Sequence, residues 1–540
     1  MQENRQLSTI SLNDLSFLKG RQLDFNSIAE MFVTRVKENP NATHTYFYDQ
    51  IITYAQTNDR ANQVANYLKE KGVKKGDVVS VMVLNSPEVY YTMFGTQKIG
   101  AISGAINYSL KGPEIAYVLD DSKPKVAFVG SEYMQDFAVG YALASHKPII
   151  VEVKTEVAHD AKIAETTLAD IMAKYPRDEA LVAQNLDDPF LLLYSSGTTG
   201  NPKGILISNK AQFAVSKSFL STGMFQENDV MMIIMPMFHT NPLCVWSYTL
   251  TYAGLTLCIR KSFSPADFWP AVLEYGVTLG MGVPAMYSYI FDSADPNTID
   301  RSKLKLRYAL CGAAPLPVEL IKGFKEKFGV SILEGYGLTE VTGLSTINPP
   351  LGVKKAGSIG PAIPGQALEI MDDDNNIMPR GERGEICTYG DFNMIGYLNK
   401  PEATAETVKD GWLHTGDVGY MDEDGYVYIV DRKKDMINRG GENIYPREIE
   451  IVIEGNPKVA AVAVIGISDK HLGEKVKAFV VPKPGETLTE DEIKAFLKDK
   501  LAKYKQPEFV EVTDNIPRNA TGKILKKELK QMEADKTRNA

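Results

Sequence analysis

Eleven residues, Tyr194-Ser195-Ser196-Gly197-Thr198-Thr199-Gly200-Asn201-Pro202-Lys203-Gly204, hold three glycines, four Ser/Thr hydroxyls and a lysine. They follow the apolar run Phe190-Leu191-Leu192-Leu193, which reads as a buried strand. A loop of this composition can enclose a polyphosphate with backbone N–H groups, hydroxyls and one ammonium. It is not the Walker pattern, because Lys203 precedes a glycine where that pattern has Ser or Thr. Composition alone also fits an ordinary strand-exit turn.

A second candidate is Tyr336-Gly337-Leu338-Thr339-Glu340, after the strand-like Val330-Ser331-Ile332-Leu333-Glu334-Gly335. A carboxylate beside a hydroxyl can hold Mg²⁺ while the hydroxyl meets a phosphate oxygen, since Mg²⁺ takes oxygen ligands and shares them with substrate phosphates. Gly312-Ala313-Ala314 ends the strand-like Tyr308–Cys311. Small residues there let a flat ring approach the carboxyl end of a parallel strand, though a tight strand–helix turn fits equally. Asp417, in Trp412-Leu413-His414-Thr415-Gly416-Asp417, could accept bonds from both hydroxyls of a cis-diol; aspartate after glycine is also a common turn residue. His239, in Met235-Pro236-Met237-Phe238-His239-Thr240, is a lone histidine, a type more often structural than catalytic. In Arg439-Gly440-Gly441-Glu442-Asn443, two adjacent glycines permit close approach of a bulky ligand.

The elements that must position these residues alternate strand and helix. Val78–Leu84, Lys125–Gly130, Val230–Met235 and Thr256–Ile259 read as strands, and Ser27 with Glu30 predicts a capping box ahead of a helix that Pro40 ends. Such alternation implies parallel α/β layers. The charged run Asp431-Arg432-Lys433-Lys434-Asp435 predicts an exposed connector. Beyond it, strands at Val459–Gly466 and Val476–Val481, a Thr489/Glu492 capping box and an inward face of Ile493, Phe496, Leu497 and Leu501 outline a small α+β domain. The expected fold is therefore α/β: a large N-terminal domain of layered sheets, residues 1–431, a hinge at 432–435, and a small mobile α+β C-terminal domain, 436–540.

A chain of 540 residues suits several core-forming units, at roughly 100–200 residues each. Its net charge of -9 argues against nucleic acid as a partner. Four dispersed cysteines form neither a disulfide framework nor a zinc pattern, which fits a reducing compartment. No signal-peptide core opens the chain, and no run reaches the roughly 18 apolar residues of a membrane span. A cytoplasmic protein without an integral membrane segment is expected.

Taken together, the Ser195–Gly204 and Tyr336–Glu340 strings resemble the signatures of the adenylate-forming superfamily, which includes acyl-CoA synthetases, aryl-CoA ligases, peptide-synthetase adenylation domains and luciferases. The likeness runs from near Phe25 to near Lys530 with every core motif intact. It implies an AMP-forming acyl-CoA ligase using ATP, Mg²⁺ and coenzyme A. By the same resemblance, Ser195, Ser196, Gly197, Thr198, Thr199, Gly200 and Lys203 hold phosphates. Gly312, Ala313, Ala314, Glu334, Gly335, Tyr336 and Gly337 form the adenine side, with Tyr336 on the ring. Thr339 meets the α-phosphate and Glu340 binds Mg²⁺; Asp417 and Arg432 hold ribose, Asn443 contributes to the nucleotide site, and Lys434 is the hinge. Lys523, in Pro517-Arg518-Asn519-Ala520-Thr521-Gly522-Lys523, is implied to reach across the interdomain cleft and offset charge on the α-phosphate.

The resemblance also makes His239 a channel residue that moves between steps, with Asn241, Cys244, Val245 and Trp246 lining the deeper acyl pocket beside Gly312 and Gly337. Arg439, Gly440 and Gly441 are implied to border the pantetheine tunnel. Acetate-specific relatives carry tryptophan where Gly337 stands, so an open pocket and an acid larger than acetate are expected, short or medium in chain or carnitine-like. The Arg439–Asn443 and Pro517–Asn519 segments look nearest to crotonobetaine/carnitine-CoA ligases. Other readings are an enzyme that passes its acyl group to a carrier protein, a luciferase-like oxygenase, and a non-catalytic nucleotide binder. The lack of an adjoining carrier domain and the retention of Glu340 and Lys523 favour the free-standing ligase. A homodimer is left open.

Overall fold

In a computed structural model, the described residues are 15–18, 20–195, 202–314, 316–440, 442–498, 500–518 and 524–538. The chain divides into two compact units, Met1–Leu368 with Thr388–Leu413, and Glu369–Cys387 with His414–Ala540.

The first unit is built on two eight-stranded sheets. One runs Gly396–Tyr397, Lys203–Ser208, Pro189–Ser195, Ile102–Ala105, Val78–Met82, Val126–Gly130, Ile149–Val153 and Thr166–Thr167. Its central strands are parallel and buried on both faces, which is why their sequences are continuous apolar runs. The other runs Thr346–Ile347, Ser331–Tyr336, Tyr308–Cys311, Leu279–Gly282, Val230–Ile233, Thr256–Ile259, Thr43–Phe47 and Gln50–Thr53. One continuous core joins residues of both sheets, from Val79 and Leu191 to Ile233 and Leu333.

Helix Ile28–Glu38 begins where Ser27 Oγ accepts the Glu30 N–H at 3.1 Å. The reciprocal half of the expected capping box is absent, because the Glu30 carboxylate accepts from Asn26 N–H instead. The box at Thr489 and Glu492 is complete and starts helix Glu490–Leu497.

The second unit contains most of the neighbouring strands Gly384–Tyr389 and Trp412–Met421, the latter antiparallel to Val427–Arg432. Its other sheet pairs Val459–Asp469 with Gly473–Pro482, flanked by the hairpin Ile437–Arg439/Glu442–Ile444 and by Phe509–Val512. Ile437, Ile444, Ile449, Ile453, Ile493 and Leu497 close the core between sheet and helices. The charged run at 431–435 is not an exposed connector throughout. Asp431 is buried at the end of its strand, where its carboxylate accepts the backbone N–H groups of Arg432 and Arg447 at 2.7 and 2.6 Å. Backbone donors make that burial tolerable. Among the described residues no helix is long and apolar enough to cross a membrane, and all four cysteines are buried outside any disulfide.

Candidate active site

Two antiparallel strands border the glycine-rich segment: Pro189–Ser195 precedes it, Lys203–Ser208 follows it, and Ser195 faces Lys203 across the ladder. The return strand was not expected; its signal was Gly204-Ile205-Leu206-Ile207, an apolar run directly after the lysine. Ser196, Gly197, Thr198, Thr199 and Gly200 lie outside the described residues.

Strands Tyr308–Cys311 and Ser331–Tyr336 are parallel neighbours, with Cys311 opposite Glu334, so Gly312–Ala314 and Glu334–Tyr336 emerge together at the carboxyl edge. Ala313 adopts φ +69°, a left-handed conformation that a non-glycine residue enters only at a cost of order 1 kcal/mol or more. Burial raises the Glu334 carboxyl to about 7, against which the Gly357 N–H, 3.3 Å away, is a partial offset.

At Gly337 the expectation of open space fails. A Cβ there would stand 2.3 Å from the Gly343 carbonyl oxygen and 2.7 Å from Leu344 Cα, so the glycine is required by the close passage of the 343–344 backbone. The turn that follows is firmly held. Thr240 Oγ1 donates to Thr339 Oγ1 at 2.8 Å, Met394 N–H donates to the Glu340 carbonyl at 2.7 Å, and the Tyr397 hydroxyl donates to Glu340 Oε1 at 3.0 Å. Lys203 Nζ lies 4.4 Å from the Tyr397 ring centre. Tyr397 carries no motif signal beyond the Gly396-Tyr397 pair ahead of a Pro401 helix start.

His239 packs its ring against Phe238 with centroids 4.2 Å apart, and burial lowers it to about 4, so it is neutral at physiological pH. Asn85, another residue without a sequence signal, brackets the preceding loop by donating to the Met235 carbonyl and accepting the Met237 N–H, both at 2.8 Å. The chain beyond is a π-helical segment, Asn241–Tyr248, continued by α-helix Thr249–Ala253; such wide turns recur at functional sites. His239 Nε2 and Asn241 Oδ1 are buried there without a hydrogen-bond partner. Val245 packs beside Gly343. Trp246 does not limit a pocket: it is fully buried in the core against Phe219 and Phe225, with centroids 5.0 and 6.1 Å away. Cys244 is likewise core.

In the second unit, Asp417 and Arg432 face one another on paired strands, and Arg432 Nε donates to Asp417 Oδ1 at 2.6 Å. Beneath them, Glu385 accepts the Gly416 N–H at 2.8 Å and meets His414 Nδ1 and Lys433 Nζ, each at 3.2 Å. Burial alone would raise the Glu385 carboxyl, but those donors and the lysine charge outweigh it and hold it below the usual range. His414 thus helps brace the Thr415–Asp417 turn. Lys434 sits in the 3₁₀ turn Lys433–Asp435. Arg439 forms an ion pair with Glu508 at 2.6 Å. Gly440 takes φ +61° at the turn of the hairpin, so local geometry is sufficient to require it. Asn443 is exposed beside Asn438. Gly441 and Lys523 lie outside the described residues.

The sequence profile of the AMP-binding enzyme family matches residues 32–398, and that of the AMP-binding enzyme C-terminal domain matches 448–523. The chain belongs to this adenylate-forming family. It is 36% identical over 488 residues to the long-chain-fatty-acid–CoA ligase FadD13 of Mycobacterium tuberculosis, covering 89% of this chain and 93% of that one. It is also 36% identical over 493 residues to the crotonobetaine/carnitine–CoA ligase of Citrobacter koseri, covering 88% and 93%. Among solved structures, ATP-bound MatB from Rhodopseudomonas palustris superposes with a TM-score of 0.85 at 30% identity, covering 95% of this chain and 99% of that one.

Proposed function

We propose that this family member is an AMP-forming acyl-CoA ligase acting on a carboxylic acid larger than acetate, in the cytoplasm. The observation that carries the reading is the grouping at the hairpin exit, where Lys203, Tyr397, Glu340, Thr339 and Thr240 form one connected set beside the carboxyl edge of a parallel sheet.

In the first step a carboxylate oxygen of the acid attacks the α-phosphorus of ATP, and the bond to the bridging oxygen breaks as pyrophosphate leaves with the electron pair. Lys203 and the glycine-rich segment hold the β- and γ-phosphates, Thr339 meets the α-phosphate, and Lys523 offsets its growing charge. The oxygen donors at Glu340 suit Mg²⁺, which when bound neutralises phosphate charge. Tyr336 and the Gly312–Ala314 edge receive adenine with Glu334 and Gly335, while Asp417 and Arg432 hold ribose, with Asn443 nearby in sequence to the thiol-side loop. His239, being neutral, donates or accepts a hydrogen bond without holding the acid as a counter-ion; its unpartnered Nε2 supports a polar visitor. In the second step the CoA sulfur attacks the acyl carbonyl carbon, and AMP leaves. Arg439–Gly441 border that thiol's route, and Lys434 is the pivot between steps.

Acid size is supported by the two 36% relatives, one named for long-chain fatty acids and the other for crotonobetaine and carnitine. Asn241 and Val245 are the side chains proposed to meet the acyl group. The test is product analysis with Mg·ATP, CoA and acids of graded length. AMP and pyrophosphate are expected, and ADP with phosphate would overturn the reading.

A further inference from the structure

Tyr397 occupies a position between two charges of opposite sign. Its hydroxyl donates to Glu340 Oε1 at 3.0 Å, its ring face carries Lys203 Nζ at 4.4 Å, and only 9% of the residue is exposed. Three backbone bonds fix its strand: Ile395 N–H to the Leu206 carbonyl, Leu398 N–H to the Gly204 carbonyl, and Met394 N–H to the Glu340 carbonyl. The same short strand is thereby stitched to the exit of the glycine-rich hairpin and to the Thr339–Glu340 turn.

We propose that Tyr397 is a positioning residue that couples the two ends of the polyphosphate site, aiming one oxygen of Glu340 for the metal and steadying Lys203 for the phosphates through one rigid ring. The inference rests on the acyl-CoA ligase reading above. A phenol suits this task on physical grounds. Its hydroxyl donates to a single carboxylate oxygen, Glu340 Oε1, and its ring face is already turned to Lys203. A donor to one carboxylate oxygen leaves the other to a cation, and a ring face attracts an ammonium without neutralising it. Lysine or arginine in its place would pair with Glu340 and compete with Mg²⁺.

The experiment compares ATP binding to the full chain by calorimetry with Mg²⁺ and with a chelator, taking the ratio of the two affinities as the metal's contribution. Tyr397→Phe keeps the ring and removes the donor, so the ratio is expected to fall about 10- to 100-fold while metal-free ATP binding holds, the scale of one hydrogen bond to a charged group. Tyr397→Leu also removes the face over Lys203 and is expected to weaken metal-free binding by about threefold or more. Melting curves establish that each variant is folded before its ratio is read. In activity, the half-saturating Mg²⁺ for pyrophosphate release rises in parallel. A Tyr397→Phe protein that melts earlier but keeps the wild-type metal ratio would overturn the proposal. So would an equal loss with and without metal. If the wild type itself gained no ATP affinity from Mg²⁺, the ligase reading would fail instead.

Discussion

The Thr339–Glu340 turn and the His239–Trp246 segment lie one hydrogen bond apart, through Thr240 and Thr339, yet they are built on opposite rules. Around the turn, side chain and backbone are held by named partners in Tyr397, Met394 and Thr240. Along the segment, His239 Nε2, Asn241 Oδ1 and Trp246 Nε1 are buried with none. The first region is preorganised by its own contacts, as the proposed binding of a charged ligand requires. The second is shaped by packing around polar atoms that no side chain or backbone group satisfies.

The largest effect expected on the nucleotide side comes from Lys523. Lys523→Ala should slow adenylation at least ~100-fold, the scale of one preorganised transition-state donor, while acyl-adenylate plus CoA still gives thioester. Half-reaction kinetics decide, and equal loss in both steps breaks the assignment.

Asp417→Asn keeps the shape of the cross-strand pair but removes its charge. A fall of about 10- to 100-fold in kcat/KM for ATP is expected, matching hydrogen bonds to charged groups, with the acid's own KM little changed. ATP titrations showing wild-type behaviour would remove Asp417 from the site.

Gly337 sharpens the contrast from the acyl side. Gly337→Ala should cost about 1–3 kcal/mol of stability by forcing the 343–344 backbone aside, and leave the ranking of acids unchanged. Melting curves and an acid panel check this together. A stable Gly337→Trp enzyme with its optimum moved to acetate or propionate would restore the open-pocket view.

For the wild type, each methylene buried should add about 0.8 kcal/mol, nearly fourfold in specificity, from acetate through butyrate to hexanoate. A preference for acetate would end the size argument and leave the adenylation chemistry standing.

The smallest effect is in stability. Glu334 titrates at about 7 when folded, against an ordinary 4.5, so the folded protein holds a proton that the unfolded chain has lost between those values. Stability therefore falls as pH rises through this window and levels off above it. Glu334→Gln should remove that slope, seen as Tm against pH, with its advantage over wild type growing toward pH 8. Parallel wild-type and variant curves would contradict the burial argument.

Membership of the family was legible because its chemistry needs particular residue types at fixed local spacing: a carboxylate beside a hydroxyl at 339–340, glycines and hydroxyls before Lys203. The parallel strands were legible because burial on both faces writes continuous apolar runs. Three things were not. The return strand Lys203–Ser208 was hidden in the motif's own shadow. Tyr397 and Asn85 act through contacts with residues remote in sequence, which periodicity does not record. Gly337 and Trp246 were misjudged because motif register gives a position but not the direction of a Cβ. One points at a carbonyl and the other into the core.

The pairing of Gly396–Tyr397 with Lys203–Ser208 has a consequence for how the protein is made. A ribosome releases the strand that needs covering long before the strand that covers it, and between them it must emit Glu369–Cys387, which belong to the other unit. Until then the nascent sheet has an open edge, the kind that recruits stray chains. Truncations that stop short of Tyr397 should accordingly aggregate, whereas loss of the sequence beyond Leu413 should spare the first unit's own fold.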